Sequence, residues 1–148
     1  MIESVTPPVF TAVLGGTLLP LQTTMMLAVG MYRSRSQQSI GIAGDATLER
    51  LVRRHGNLAE NAAIFLVVLA LFELLFGASA FVWGIGLVFL VARLLHIIGF
   101  SNETGSHLAN PTGAGKIFIL FRVCGALLTA LSTIVLGVTL VVSVFLTF

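Results

Sequence analysis

Arg53, Asn57 and Glu60 recur at intervals of four and three residues, the spacing that places side chains on one face of an α-helix. Their chemistry is complementary. The Arg53 guanidinium is a planar fork of five donors, the Asn57 amide donates and accepts, and the Glu60 carboxylate accepts or pairs with a cation. Together they suit a zwitterionic, peptide-like ligand. The same spacing equally suits three side chains that pair among themselves or across helices, as polar residues in membrane bundles do. Spacing alone leaves both readings open. Arg93 and His96 share a second helical face, and Arg122 stands in a third polar position within Phe121-Arg122-Val123-Cys124-Gly125.

The elements that carry these residues belong in lipid. Of 148 residues, 57% are hydrophobic and 9% charged, and the mean hydropathy is +1.04. Soluble domains carry about 25% charged residues, so fourteen charges, eight basic and six acidic, cannot cover a water-facing globule. A cytosolic enzyme, a disordered tail and a disulfide scaffold are thereby excluded. With one cysteine, Cys124, no intramolecular disulfide can form. The reading is an all-α membrane protein, a four-transmembrane-helix bundle in one domain over residues 1–148.

Its helices are expected at about 9–32, 47–76, 80–100 and 116–147. No charge interrupts Ser4 to Tyr32 or Val123 to Phe148, and Glu73 is the sole charge between Asn61 and Ala92. Each stretch exceeds the roughly 20 apolar residues that a span needs. Pro7-Pro8 opens the first helix, and Asp45 or Thr47 caps the second. The second helix, roughly 45 Å long against about 30 Å of hydrocarbon, should project its charged first turns out of the lipid. Glu73, near its far end, points away from the Arg53 stripe and is expected to make a hydrogen bond or an interfacial contact.

Four spans put the loops after the first and third helices on one side of the membrane. All eight basic residues, Arg33, Arg35, Arg50, Arg53, Arg54, Arg93, Lys116 and Arg122, lie on or near that side. The positive-inside rule makes it cytoplasmic and leaves both termini outside. Charge gathered at span ends, rather than striped over a polar domain, argues against nucleic acid as a partner. Arg53, Arg93 and Arg122 enter from this side at similar depth. Like charges so placed repel without an anion between them, so they point to a site for an anion or a thiolate. No metal-ligand spacing is evident. Gly113-Ala114-Gly115-Lys116 mimics a phosphate loop, but Asn110 and Ile117 replace its required residues.

The segment Glu49-Arg50-x-x-Arg53-x-His55-x-Asn57-x-x-Glu60 resembles the signature of the MAPEG family, the membrane-associated proteins in eicosanoid and glutathione metabolism. Arg93-x-x-His96 and the run Phe-Arg-Val-x-Gly-x-Leu-Leu-Thr at residues 121 to 129 are similar to its bacterial branch. The resemblance implies a bacterial inner-membrane homotrimer that uses glutathione as cofactor and a lipophilic small molecule as substrate. Glutathione would lie between neighbouring subunits near the cytoplasmic face, against Arg53, Asn57 and Glu60 with Arg93 and His96 nearby. Arg33 or Arg35 would meet one of its carboxylates. Arg122 matches the catalytic arginine that holds the thiol as thiolate for transferase or peroxidase chemistry. Phe100 stands where several members have tyrosine, which favours the alternative of a non-catalytic lipid-binding or scaffolding member.

Overall fold

A computed structural model describes residues 6–103 and 113–148. It contains α1 (Val9–Ser36), α2 (Ala46–Phe76), α3 (Ala80–Gly99) and α4 (Ala114–Thr147), with no strand among the described residues. All four are long and apolar enough to cross a bilayer. Most of the 101–115 loop, His107 and Pro111 included, lies outside the described residues.

Each helix turns one narrow seam inward. On α2 the seam is Leu58, Ala62, Phe65, Leu69 and Phe72; on α3 it is Val82, Gly86, Phe89, Arg93 and His96. Alternating steps of four and three match helices packed nearly in line, as in four-helix bundles. Phe65 and Phe89 stack across this core with ring centroids 3.7 Å apart. The remaining faces carry exposed Val, Leu, Ile and Phe side chains, as a lipid-facing surface requires.

The two most intimate pairings are α3 with α4 and α1 with α2. Glycine makes the first possible. A Cβ on Gly125 would stand 2.6 Å from the His96 amide nitrogen and 2.7 Å from the Ala92 carbonyl oxygen. One on Gly99 would stand 2.6 Å from the Arg122 amide nitrogen. Small residues at membrane helix crossings let backbones approach in this way.

The helix ends refine the sequence expectations. α1 runs to Ser36 instead of ending near Tyr32, because Arg33-Ser34-Arg35-Ser36 continues the helix into the polar zone. Gln37 closes it in the left-handed conformation, donating its amide to the Arg33 carbonyl. α2 is capped by Asp45, whose Oδ1 accepts from the Thr47 and Leu48 amides at 2.9 and 3.0 Å. The Tyr32 hydroxyl donates to the other carboxylate oxygen at 2.9 Å, tying the end of α1 to the start of α2. These donors hold the Asp45 carboxyl below the usual carboxylate range, the Leu48 amide first and the Tyr32 hydroxyl second. α4 begins at Ala114, two residues before Lys116.

Glu73 does make hydrogen bonds, and its partners lie in α1. Its carboxylate is fully buried and accepts from the Phe10 and Thr11 amides, both at 2.9 Å, and from the Thr11 hydroxyl at 2.7 Å. The first turn of α1 has unpaired amides and no side-chain cap of its own. A carboxylate from α2 supplies one, and the helix dipole favours an anion there.

Candidate functional site

The ends of α1 and α3 and the starts of α2 and α4 share one end of the bundle, and every basic side chain is on or near it. There α2, α3 and α4 enclose a cavity of about 450 Å³. Ala46, Glu49, Arg50, Arg53 and Asn57 of α2 line one wall; Phe100, just past α3, and Arg122 of α4 line the other. The Arg122 guanidinium lies over the Phe100 ring, 5.4 Å from its centroid, a cation–π geometry that orients the cation without neutralising it.

The stripe of α2 has the predicted register but faces outward. Arg53 has a 67% exposed side chain and stands 3.7 Å from Glu49. Glu60 is exposed on the surface of the chain, away from the bundle interior. Glu49, Arg53, Gly56, Asn57 and Glu60 continue as a shallower cavity of about 320 Å³, with Ile42 and Val52 at its edge. Glu49, Arg53, Gly56 and Glu60 step by four, three and four around α2, with Asn57 beside Gly56, on the side opposite its core seam.

Arg93 and His96 do not join this lining. Their positions fall on the α3 face that also buries Phe89 and Gly99, so both turn into the bundle. Arg93 is 2% exposed. It donates to the carbonyl oxygens of Asn57 and Gly125, at 3.2 and 3.3 Å, and to the Thr129 hydroxyl. His96 is 8% exposed, its Nδ1 lies 3.3 Å from the Arg122 carbonyl oxygen, and its Nε2 has no hydrogen-bond partner. Of the three arginines expected to converge, the structure brings Arg53 and Arg122 to one cavity and withdraws Arg93 behind it.

Arg33 is committed locally. Its Nη1 donates to the carbonyls of Gln38, Ser39 and Gly41 at 3.1, 3.3 and 2.8 Å, organising the chain after α1. Arg35 is exposed at the same helix end. Both are apart from the main cavity lining.

Arg50, in the cavity lining, and Thr129, buried behind it, take parts that sequence reasoning did not assign them. Arg50 lines the cavity with its side chain 13% exposed and meets Glu103 at 3.2 Å across the rim. Its place one residue after Glu49 in the signature was the available signal. Thr129, the acceptor for Arg93, repeats four residues after Gly125 on the buried face of α4. Among the described residues, no group of three or more His, Cys, Asp or Glu side chains could hold a metal ion.

The sequence profile of the MAPEG family matches residues 10–142, which spans all four helices. No curated protein and no solved structure matches the chain.

Proposed function

The chain belongs to the MAPEG family, and from that membership we propose that it is a glutathione-dependent membrane transferase or peroxidase. The observation that carries this reading is the cavity of about 450 Å³ that sets Arg53 and Asn57 of α2 opposite Arg122 of α4. Its volume falls in the range of small-molecule sites. Glutathione is a tripeptide with two carboxylates, one ammonium group and a thiol. Three guanidinium groups line the cavity against one carboxylate, Glu49, a balance suited to a ligand of net negative charge. Arg53, Asn57 and Glu60 bind its backbone. Arg35, exposed at the end of α1, is better placed to meet a carboxylate than Arg33, whose Nη1 is engaged by loop carbonyls.

Arg122 is the activating residue. A free thiol titrates near ~8.5, and an adjacent guanidinium favours the thiolate at neutral pH. In the transferase reaction the thiolate sulfur bonds to an electrophilic carbon of a lipophilic substrate, whose leaving group departs with its electron pair. In the peroxidase reaction the sulfur takes one oxygen of a hydroperoxide, releasing the alcohol. A second glutathione then forms the disulfide and water. Both substrates reach the site from opposite phases, glutathione from water and the electrophile from lipid.

The outward stripe supports assembly of several copies as a homotrimer. A charged side chain within the hydrocarbon costs about 2.5–3.5 kcal/mol on insertion scales. Glu60, roughly 24 Å from the far end of α2 at 1.5 Å per residue, avoids that cost when a neighbouring copy and its bound glutathione cover the stripe. The basic end is then cytoplasmic and both termini are outside, by the positive-inside rule. Phe100 favours a second reading, a lipid-binding or scaffolding trimer without turnover, because the ring over Arg122 carries no hydroxyl to donate to the sulfur.

The test is calorimetric titration of glutathione into detergent-purified protein. Wild type is expected to bind, and Arg53→Ala to bind at least tenfold more weakly. Absence of binding by wild type at millimolar glutathione would sink the proposal. Given binding, turnover of an aryl halide or a hydroperoxide separates the enzyme from the scaffold.

A further inference from the structure

We infer that Arg93 is a positioning residue: it does not touch the ligand, but its guanidinium locks the backbone of α2 to that of α4 and so sets the spacing of the two cavity walls. The inference rests on the proposed glutathione site for its functional consequence and on geometry alone for the lock.

Arg93 belongs to α3, yet its donors go to both other walls. Nη1 donates to the Asn57 carbonyl on α2; Nη2 donates to the Gly125 carbonyl and the Thr129 hydroxyl on α4. Asn57 also lines the cavity, and Gly125 lies one turn beyond Arg122. The two backbone segments that Arg93 joins are therefore those that carry the opposing ligand contacts. Thr129 is held in place by its own hydroxyl, which donates to the Gly125 carbonyl at 2.7 Å.

The lock is needed on one side only. α3 and α4 meet backbone to backbone at Gly99 and Gly125, and that pairing is extensive. α2 touches α3 and α4 far less and has no comparable glycine crossing on them. Arginine suits the task because its planar fork reaches two acceptors in fixed directions. It also stays cationic with neutral acceptors, so the joint does not consume any of the carboxylates at the basic end. A buried cation that pairs with carbonyls in this way behaves as interhelical glue, as polar groups in membrane bundles do.

Electron-spin distance measurements on the full-length protein, without ligand, test the lock. Labels go on the exposed positions Ile64 of α2, Leu94 of α3 and Leu127 of α4, in a Cys124→Ser background diluted with unlabelled chain. Arg93→Met is expected to lengthen and broaden the α2–α4 distance while leaving the α3–α4 distance unchanged. Arg93→Lys is expected to restore part of the α2–α4 distance, because its ammonium can still donate to both carbonyls. Thr129→Val, nearly isosteric, should shift α2–α4 in the same direction by less, and it decides the matter if Arg93→Met does not fold. An unchanged α2–α4 distance overturns the inference, and so does equal broadening of both pairs, which marks a general stabiliser. In parallel, glutathione affinity should fall about tenfold in Arg93→Met and recover partly in Arg93→Lys. If affinity falls while the α2–α4 distance stays fixed, Arg93 contacts the ligand directly and the inference fails. If wild type binds no glutathione, only the proposed function is lost, and the distances still decide the lock.

Discussion

Among the described residues, Glu73 and Arg93 are the two formally charged side chains withdrawn from the surface, at 0% and 2% exposure, and they lie toward opposite ends of the bundle. Glu73 accepts three hydrogen bonds from the start of α1 and is the sole charge between Asn61 and Ala92. Next to it along α2, the Phe72 ring packs against those of Phe76 and Phe81. Arg93 instead donates to neutral oxygens, beside a cavity whose walls carry three further guanidinium groups. A buried charge is stabilising only when its hydrogen-bonding capacity is filled. One end closes on its donors and reads as architecture; the other sets three guanidinium groups around an open volume and is the proposed binding site.

Removing the cap should give the largest effect. Glu73→Ala strands two amides and a hydroxyl where water is scarce, at roughly 1–3 kcal/mol for each unsatisfied group, so a loss of about 3 kcal/mol or more is expected. The denaturation midpoint in detergent measures it. Glu73→Gln, which keeps one acceptor oxygen, should lose less than half as much. Glutathione binding by the folded fraction should be untouched, because the cap is remote from the cavity. If binding fell with Glu73→Gln, the two ends would not be independent and the contrast would break.

Next comes the α3–α4 crossing. Gly125→Ala forces a Cβ onto backbone atoms of α3 that cannot rotate away, and overpacking of this kind costs about 1–3 kcal/mol. Gly84→Ala is the control. Its Cβ would meet nothing within 4 Å, and exchanging helical glycine for alanine gains roughly 0.5–1 kcal/mol. Equal stability changes for the two variants would remove the close crossing from the account.

The smallest effect concerns Asp45. Its carboxyl lies below the usual carboxylate range when folded, so its contribution is present above the unfolded value and is lost as pH falls through the folded one. The thermal midpoint of wild type should therefore drop on acidification below the ordinary carboxylate range, and Asp45→Asn should show a flatter profile. Parallel profiles would mean that the Tyr32 and Leu48 contacts do not matter in solution.

Much of this architecture is legible in the residues. Uninterrupted apolar runs place all four helices, and the four-and-three spacing of Arg53, Asn57 and Glu60 gives their shared face. What spacing does not give is the direction of that face. Glu60 lies outward because α2 uses Leu58, Ala62 and Phe65 for its core, a choice fixed by packing partners from other helices. Arg93 and Arg122 look equivalent in the sequence, one arginine near the basic end of each helix. They separate because Arg93 falls on the seam with Phe89 and His96, whereas Arg122 sits beside the Gly99 crossing with its side chain at the cavity. The cap by Glu73 joins residues 62 and 63 positions apart, which no local pattern reports. The helix end at Ser36 was missed because polar residues can prolong a helix beyond the lipid.

The role proposed for Arg122 is to hold glutathione as its thiolate at the open basic end. Ultraviolet difference spectroscopy at neutral pH tests it most directly, by recording the thiolate band that appears when glutathione is added to purified protein. Wild type should develop the band, and Arg122→Ala should lose it while still binding glutathione in calorimetry. Binding by wild type with no thiolate band, or a band of undiminished size in Arg122→Ala, would contradict the account.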